Sequence, residues 1–459
     1  MGCLSVLGDR ALRNSLLGIA IPIALQNLLT YMTSMMDTVM LGQLGEVELS
    51  GASLANQFGT IYMVLTFGVA SGANVLLSQY WGKGDTASIR SILAVAYRVA
   101  LLLSLLFTAA AFLFPQAILS CFTPDREVIA AGAGYLSIVC FSYTLNGMTN
   151  VMLMSLRSVG TVGISVLVYI TSFFVNTGLN WVLIFGKLGA PAMGVRGAAT
   201  ATLIARLLEV TIVILHMMKN RFFRVHLHLL LRPGLDMTRR FLKYGGLVVC
   251  NETMWGLGTS VFPTIMGHMA GSTEILAAYT IAGNMEKIVM VASFGLSSTA
   301  AIIIGREIGA GRQNRLLDVG KALNTLSVVC GAILGGLLLA FVWFAAPAWV
   351  YPLFKLSPGA ASVASMMMTM MALAMPLKDF NTVNIVGVLR GGGDVKAATL
   401  IDIGPLWGVA IPYAALCGLV LKTTVLWVYL AFPLEQAVKF FVGIHRLRSG
   451  KWVRDLTRA

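Results

Sequence analysis

Charged residues are scarce in this 459-residue chain, where Asp, Glu, Lys and Arg together make up only 11%. Soluble globular domains carry about 25%. With 57% hydrophobic residues and a mean hydropathy of +0.82, the chain is therefore not an ordinary soluble protein. Apolar runs long enough for a membrane-spanning helix, about 20 residues, recur along it. The runs do not alternate apolar and polar residues as a membrane barrel would, so we expect an all-α membrane protein.

Several signatures of chemistry are also missing from the sequence. The six cysteines lie far apart, without the paired spacing of a disulfide framework or a metal site, so we expect no metal. The five histidines fall at span ends or in loops, which argues against a membrane enzyme. Gly391-Gly-Gly393 is not followed by the Lys-Ser/Thr of a phosphate-binding loop. We therefore expect no cofactor, and an ion gradient rather than ATP as the energy source.

The apolar runs predict twelve membrane spans. Their approximate limits are 16–41, 52–77, 92–120, 128–154, 163–186, 195–218, 242–267, 276–303, 319–345, 360–388, 397–420 and 424–444. With the N-terminus in the cytoplasm, 23 basic residues fall on the inner side and 5 on the outer side. This asymmetry predicts a multi-pass protein of the plasma (inner) membrane with both termini cytoplasmic. The net charge of +14 then faces anionic lipid, and we expect no nucleic-acid partner.

An internal repeat divides the chain into two halves. Phe67-Gly68 recurs as Phe294-Gly295, and Leu156-Arg157 after span four recurs as Leu389-Arg390 after span ten. Each half has an even number of spans, so the halves are parallel repeats, an arrangement in which transporters bind substrate between the halves. The predicted domains are an N-lobe at 1–218, a cytoplasmic linker at 219–241, and a C-lobe with a basic tail at 242–459.

The first span carries a carboxylate, Asp37, within its apolar run. A charge at membrane depth costs at least about 2.5–3.5 kcal/mol on insertion scales, so it is rarely left there without a partner or a task. Pro22 lies in the same span and weakens the helix locally because it cannot donate a backbone hydrogen bond. A kinked helix with a buried acid is typical of a helix that changes conformation during transport. The alternative is a structural acid hydrogen-bonded to neighbouring helices.

Other polar residues inside the spans are few. Asn176 and Asn180 lie one helical turn apart in span five, and Thr202 lies in span six. Glu252 and Asp379 have neighbouring amides and hydroxyls, a setting that suits a proton or a sodium ion because hard cations take oxygen ligands. Each of these residues could instead serve only helix packing.

Two further features have a structural interpretation and a functional one. Arg206 and Glu209 lie three residues apart in span six, a spacing that predicts an ion pair on one helical face. The methionine-rich stretch 366–375 would suit either packing or a surface that adapts to varied apolar ligands.

Five sequence segments in this order resemble the multidrug and toxic compound extrusion (MATE) family over essentially the whole chain. They are Asp37-Thr-Val-Met-Leu-Gly-Gln-Leu-Gly45, Gln79-Tyr-Trp-Gly-Lys-Gly84, Asn176 to Asn180 with Leu183-Ile-Phe-Gly186, Gly194-Val-Arg-Gly-Ala-Ala-Thr200, and Val388-Leu-Arg-Gly-Gly-Gly-Asp394. The resemblance implies two six-helix lobes in a V shape. It also implies export of small cationic, amphipathic compounds in exchange for H⁺ or Na⁺, and we expect a monomer.

The resemblance also implies roles for particular residues. In the family, the acid of the first span forms a cation site with residues of spans five and six, which here are Asp37, Asn176, Asn180 and Thr202. Some members have aspartate where this chain has Asn180. NorM-type members also have acids that match Glu252 and Asp379, so the lobe that couples stays open. Pro22 matches a proline implicated in bending of the first helix. We expect the substrate cavity to be lined by Gln26, Tyr31, Met35, Met375 and Asn381.

A lipid or lipid-linked oligosaccharide flippase of the same superfamily is the alternative function. Such proteins tend to have more basic residues along the cavity, and often extra spans. Here the intramembrane charges include several acids and the spans number twelve, which favours export of cations.

Overall fold

The computed structural model describes residues 10–219, 234–353 and 356–458, and these residues form helices without any strand. The first half consists of the helices Arg10–Gly42, Glu46–Lys83, Thr86–Leu113, Pro115–Ser120, Arg126–Val139, Phe141–Ser158, Gly163–Phe185 and Val195–Lys219. The second half consists of Leu235–Gly267, Ser272–Val289, Val291–Gly309, Gln313–Arg315, Leu316–Ala340, Phe341–Val350, Tyr351–Leu353, Pro358–Asn381, Thr382–Leu389, Val395–Pro405, Leu406–Ala410, Ile411–Ala415, Leu416–Val420, Val425–Tyr429 and Ala431–Arg448. The predicted all-α class is confirmed.

Within the described residues, ten helices are long and apolar enough to cross a membrane. An eleventh span is formed if the helices Arg126–Val139 and Phe141–Ser158, which meet at an angle of 49°, count as one. This bent pair occupies predicted span four. At the bend, the Thr108 hydroxyl donates a hydrogen bond of 2.9 Å to the carbonyl of Cys140. Predicted span eight is likewise divided, at Met290.

The chain packs into two compact units. The first unit is Leu25–Val249, and the second contains Cys250–Ala459 together with the residues up to Ala24. These limits differ from the predicted lobes, because the first helix and the helix Leu235–Gly267 each contribute to both units. The predicted lobe limits rested on the hydrophilic stretch 219–241 and on the internal repeat, and they stay a prediction. Most of the predicted linker, 220–233, lies outside the described residues.

Small residues bring the helices of the first unit close together. A Cβ atom on Gly51 would lie 2.6 Å from the backbone nitrogen of Gly132, so only glycine allows this approach of two helices. Nearby, the rings of Tyr62 and Tyr143 stack at 5.0 Å. The Tyr62 hydroxyl donates a 2.6 Å hydrogen bond to the carbonyl of Tyr143. These contacts hold three helices around the cavity described below.

Methionine fills the core of the second unit. Met367, Met368, Met371 and Met375 are buried in one apolar cluster with Phe262. The unbranched methionine side chain adapts to irregular gaps between helices. The packing interpretation of the methionine-rich stretch therefore applies to these four residues.

Candidate functional site

The structure brings together four residues of the predicted coupling site in the first unit. The Asn180 side-chain amide donates to Asp37 Oδ1 at 2.5 Å and to Asn176 Oδ1 at 3.3 Å. The Asn176 amide in turn donates to Thr202 Oγ1 at 3.4 Å. Asn176 and Asn180 are buried, whereas Asp37 is half-buried. The result is a connected network of one carboxylate, two amides and a hydroxyl, whose coupling role stays a prediction.

Local helix geometry explains why these side chains meet. Asn176 and Asn180 lie four residues apart on the helix Gly163–Phe185, so both project from one face. The helix Val195–Lys219 packs closely on it, since a Cβ atom on Gly197 would lie only 2.6 Å from the Leu183 carbonyl oxygen. This close approach brings Thr202 to the two asparagines.

Asp37 lines a cavity of about 380 Å³ inside the first unit. Two acids, Asp37 and Glu209, and one base, Arg206, lie on its wall. Thr30, Thr33 and Thr38 of the first helix donate their hydroxyl protons to carbonyls one turn earlier. Their oxygen lone pairs therefore remain as acceptors. With all three charged residues ionised, the wall carries one net negative charge, which favours a cationic ligand.

Arg206 and Glu209 form the predicted ion pair, but they also line this cavity. Arg206 Nη1 lies 2.8 Å from Glu209 Oε1, and Ser172 Oγ donates to the same oxygen at 2.5 Å. Ser172 was not among the predicted site residues. It lies one turn before Asn176 on the same helical face, and this spacing of four residues was the signal that could have identified it.

The second unit does not bring the predicted acids Glu252 and Asp379 into one cluster. Glu252 accepts from Arg390 at 2.7 Å in an ion pair. Asp379 is fully buried and accepts a 2.6 Å hydrogen bond from Ser293. Asn381, predicted to line the cavity, donates instead to the carbonyl of Gln436 at 2.8 Å. Each predicted residue here has its own local partner.

Internal cations neutralise most acids of the second unit. Buried Lys439 lies 2.7 Å from Asp402 Oδ1 and 2.7 Å from Glu435 Oε1. Asn251 adds a 2.9 Å hydrogen bond to Asp402. Glu286 forms an ion pair with Lys378.

Among the predicted cavity residues, only Gln26 lines a cavity described here. It lies on a second cavity of the first unit, of about 140 Å³, where it accepts from Arg157 at 2.5 Å. Tyr31 and Met35 line neither cavity, and Met35 is 60% exposed because its side chain points outward from the first helix. Met375 packs in the methionine core. Pro22 lies inside the helix Arg10–Gly42, which continues past it, and its predicted hinge role stays untested.

Membrane-length helices around a polar, carboxylate-bearing cavity define an α-helical membrane transporter. The MatE family model matches residues 22–182 and 246–416, which is more than half of the chain and includes part of each repeat. The chain belongs to the MatE family, so the resemblance seen in the sequence is confirmed.

Similar proteins support this assignment over almost the full length. A protein described as "Probable multidrug resistance protein NorM" from Thermotoga maritima is 24% identical over 442 residues, covering 96% of this chain and 93% of the relative. The "Uncharacterized transporter YisQ" of Bacillus subtilis is 24% identical over 450 residues, with coverage of 96% and 95%.

Solved structures share the fold. A eukaryotic MATE transporter superposes with a TM-score of 0.83 at 17% identity, covering 98% of each chain. A MOP superfamily transporter from Pyrococcus furiosus, described as having a binding pocket of reverse polarity that suggests a different function, superposes with a TM-score of 0.84 at 16% identity, covering 96% of this chain and 97% of the other. The predicted twelve-helix, two-lobe architecture agrees with these structures.

Proposed function

We propose that the protein is a secondary active exporter of cationic, amphipathic compounds in exchange for H⁺ or Na⁺, coupled at Asp37. One observation carries this proposal. Among the acids inside the twelve predicted spans, Asp37 and Asp379 form no ion pair with a described basic residue, whereas Glu209, Glu252, Glu286, Asp402 and Glu435 all do. Of these two unpaired acids, Asp37 is the one that lines the cavity.

An unpaired acid suits ion coupling because its charge is still available. A carboxylate already held by Lys or Arg gains little from a proton or a sodium ion. Asp37 is held by the Asn180 amide, and the Asn180 Oδ1 atom is buried without a hydrogen-bond partner among the described residues. Carboxylate, amide and hydroxyl oxygens are ligands that hard cations prefer. Asp37 with Asn176, Asn180 and Thr202 offers such a set without any resident cofactor.

The substrate class follows from the charge and size of the cavity. Its net negative wall favours cations, and about 380 Å³ is within the range of pockets for small organic molecules. The description of the Thermotoga relative as a multidrug resistance protein supports the same substrate class. We expect the protein to work as a monomer in the plasma (inner) membrane, surrounded by lipid.

Transport in liposomes tests the proposal directly. We expect purified protein to move an ethidium-like cation against its gradient when an inward H⁺ or Na⁺ gradient is imposed. The cation is enclosed in the liposomes, and only one of the two ions should drive its efflux, which identifies the coupling ion. An anionic dye of similar size is the control, and its transport at the same rate would contradict a cation-selective cavity.

A second candidate function, a lipid or lipid-linked oligosaccharide flippase, is favoured by one observation. Arg157 and Arg206 both lie on the wall of the second cavity, and basic residues there suit an anionic headgroup. The same liposomes distinguish the two functions if they contain a fluorescent anionic lipid. Ion-independent translocation of that lipid, without movement of the cation, would favour the flippase.

The distribution of basic residues predicts that both termini and the loop 219–241 face the cytoplasm. In a variant without native cysteines, Leu227→Cys and a cysteine in the C-terminal tail should resist a membrane-impermeant thiol reagent in intact cells. Lys187→Cys, predicted to face outside, should react and provides the control. Labelling at position 227 or in the tail before lysis would refute this topology.

A further inference from the structure

The second cavity of the first unit differs in charge from the one beside Asp37. Its charged wall residues are Arg157 and Arg206, and no acid of the described residues lines it. The amides of Gln26, Asn27, Asn146 and Asn150 supply most of its remaining polar groups. Arg206 is neutralised by Glu209. The second cavity therefore has an excess of positive charge, and that charge belongs to Arg157.

Arg157 is buried without a counter-charge. It is 7% exposed, and among the described residues no carboxylate forms an ion pair with it. One Nη atom donates to the Gln26 carbonyl oxygen at 2.5 Å, while the Nε atom has no hydrogen-bond partner in the described chain. A guanidinium in this position is strongly destabilising unless an opposite charge reaches it.

The internal repeat shows which charge is missing. Arg390, which takes the place of Arg157 in the second repeat, has the carboxylate of Glu252 at 2.7 Å where Arg157 has the amide of Gln26. Eleven residues before Arg390 lies Asp379, and eleven residues before Arg157 lies Asn146. The first repeat therefore keeps the arginine but has the Gln26 amide in place of the carboxylate that pairs with it, and a neutral Asn146 in place of Asp379. A carboxylate-like group is what this arrangement lacks.

We propose that the second cavity binds a small monovalent anionic group, either a halide ion or a carboxylate, with Arg157 as its principal ligand. The guanidinium fork matches a carboxylate and also accepts a spherical anion. Side-chain amides of Gln26, Asn146 and Asn150 add donors of the kind that anions need. A volume of about 140 Å³ admits chloride, acetate or the carboxylate of a larger ligand. The proposal does not depend on coupling at Asp37.

Anion-dependent thermal stability of the purified protein tests this site. At constant ionic strength, replacing gluconate with chloride or acetate should raise the midpoint of thermal unfolding saturably, by about 2–4 °C. Gluconate is bulkier and more strongly hydrated than chloride or acetate, so it serves as the reference anion at equal ionic strength. Equal midpoints in all three salts would overturn the proposal and leave Gln26 and water as the only partners of Arg157.

Three variants with the same charge change locate the site. Gln26→Glu places a carboxylate on Arg157, as Glu252 does on Arg390, and Asn146→Asp places one on the wall of the same cavity; each should abolish the anion-dependent rise. Asn56→Asp places the same charge on the wall of the cavity beside Asp37 and should leave the anion-dependent rise of the unfolding midpoint unchanged. The result that contradicts the proposal is an undiminished chloride effect in both Gln26→Glu and Asn146→Asp, because generic salt stabilisation would not depend on either residue.

A free ion and the carboxylate of a larger ligand can be distinguished by binding measurements. A dye with one ammonium and one carboxylate is compared with its methyl ester, on wild-type protein and on Gln26→Glu. If the site takes a ligand carboxylate, the ester should bind wild-type protein about tenfold more weakly, and Gln26→Glu should abolish this difference. If it takes a free halide, dye and ester should bind alike and chloride should still raise the midpoint.

Discussion

Replacing Asp37 with asparagine should abolish ion-coupled export while the protein still inserts and folds. Asparagine has nearly the shape of aspartate and permanently mimics its neutral form, so the carboxylate can neither bind a sodium ion nor exchange a proton. Asn180, now 2.5 Å from Asp37 Oδ1, can still hydrogen-bond the substituted side chain. In liposomes with an imposed inward ion gradient, we expect efflux of an enclosed cationic dye to fall to the level of protein-free vesicles. Dye binding to the purified variant should persist.

Asp379→Asn is the matched control, because Asp379 is the other acid inside the predicted spans that forms no ion pair with a described basic residue. It is fully buried against Ser293 and lines neither described cavity, so its neutral form should still support coupled export. The opposite result is wild-type export with unchanged ion dependence in Asp37→Asn and loss of coupling in Asp379→Asn. It would indicate that the coupling site lies in the second unit.

The network around Asp37 was predictable only in part from the sequence itself. Asn176 and Asn180 follow helical periodicity, whereas Asp37 lies 143 positions from Asn180 and, like Thr202, was added by the family resemblance. In the second unit, the resemblance pointed to Glu252 and Asp379 but not to their partners, which lie far away in the chain. Glu252 and Arg390, for example, are separated by 138 positions, and periodicity says nothing about such a pair. The sequence therefore indicated which residues are polar but not which of them are already neutralised.

Cavity-lining residues were the least predictable part of the site. Met375 and Asn381 were expected there because of their residue types, yet one packs in an apolar core and the other binds Gln436. For Arg206 the sequence left a structural and a functional interpretation open, and the residue lines both cavities. Whether a side chain faces a cavity depends on small differences in helix rotation and crossing, which a single sequence does not encode in any local pattern.

Replacing Lys439 with methionine should strongly destabilise the second unit. Lys439 is 4% exposed and forms ion pairs with both Asp402 and Glu435, at 2.7 Å each. Methionine fills a similar volume but leaves two buried carboxylates without their cation. Removing one partner of a buried ion pair costs about 3–5 kcal/mol, because the remaining charge is uncompensated. A fall of this size should be measurable in the free energy of unfolding of the purified protein in mixed micelles.

Two further variants show whether the loss comes from uncompensated charge or from packing. Arg312→Met breaks an ion pair with Glu307 in which the arginine is 66% exposed, and it should cost less than about 1 kcal/mol. Adding Asp402→Asn and Glu435→Gln to Lys439→Met removes both stranded charges and should restore most of the lost stability, since neutral replacement of a buried ionic cluster is often tolerated. If this triple variant were as unstable as Lys439→Met alone, the lysine would stabilise the second unit through packing, and its acids would not need an internal cation.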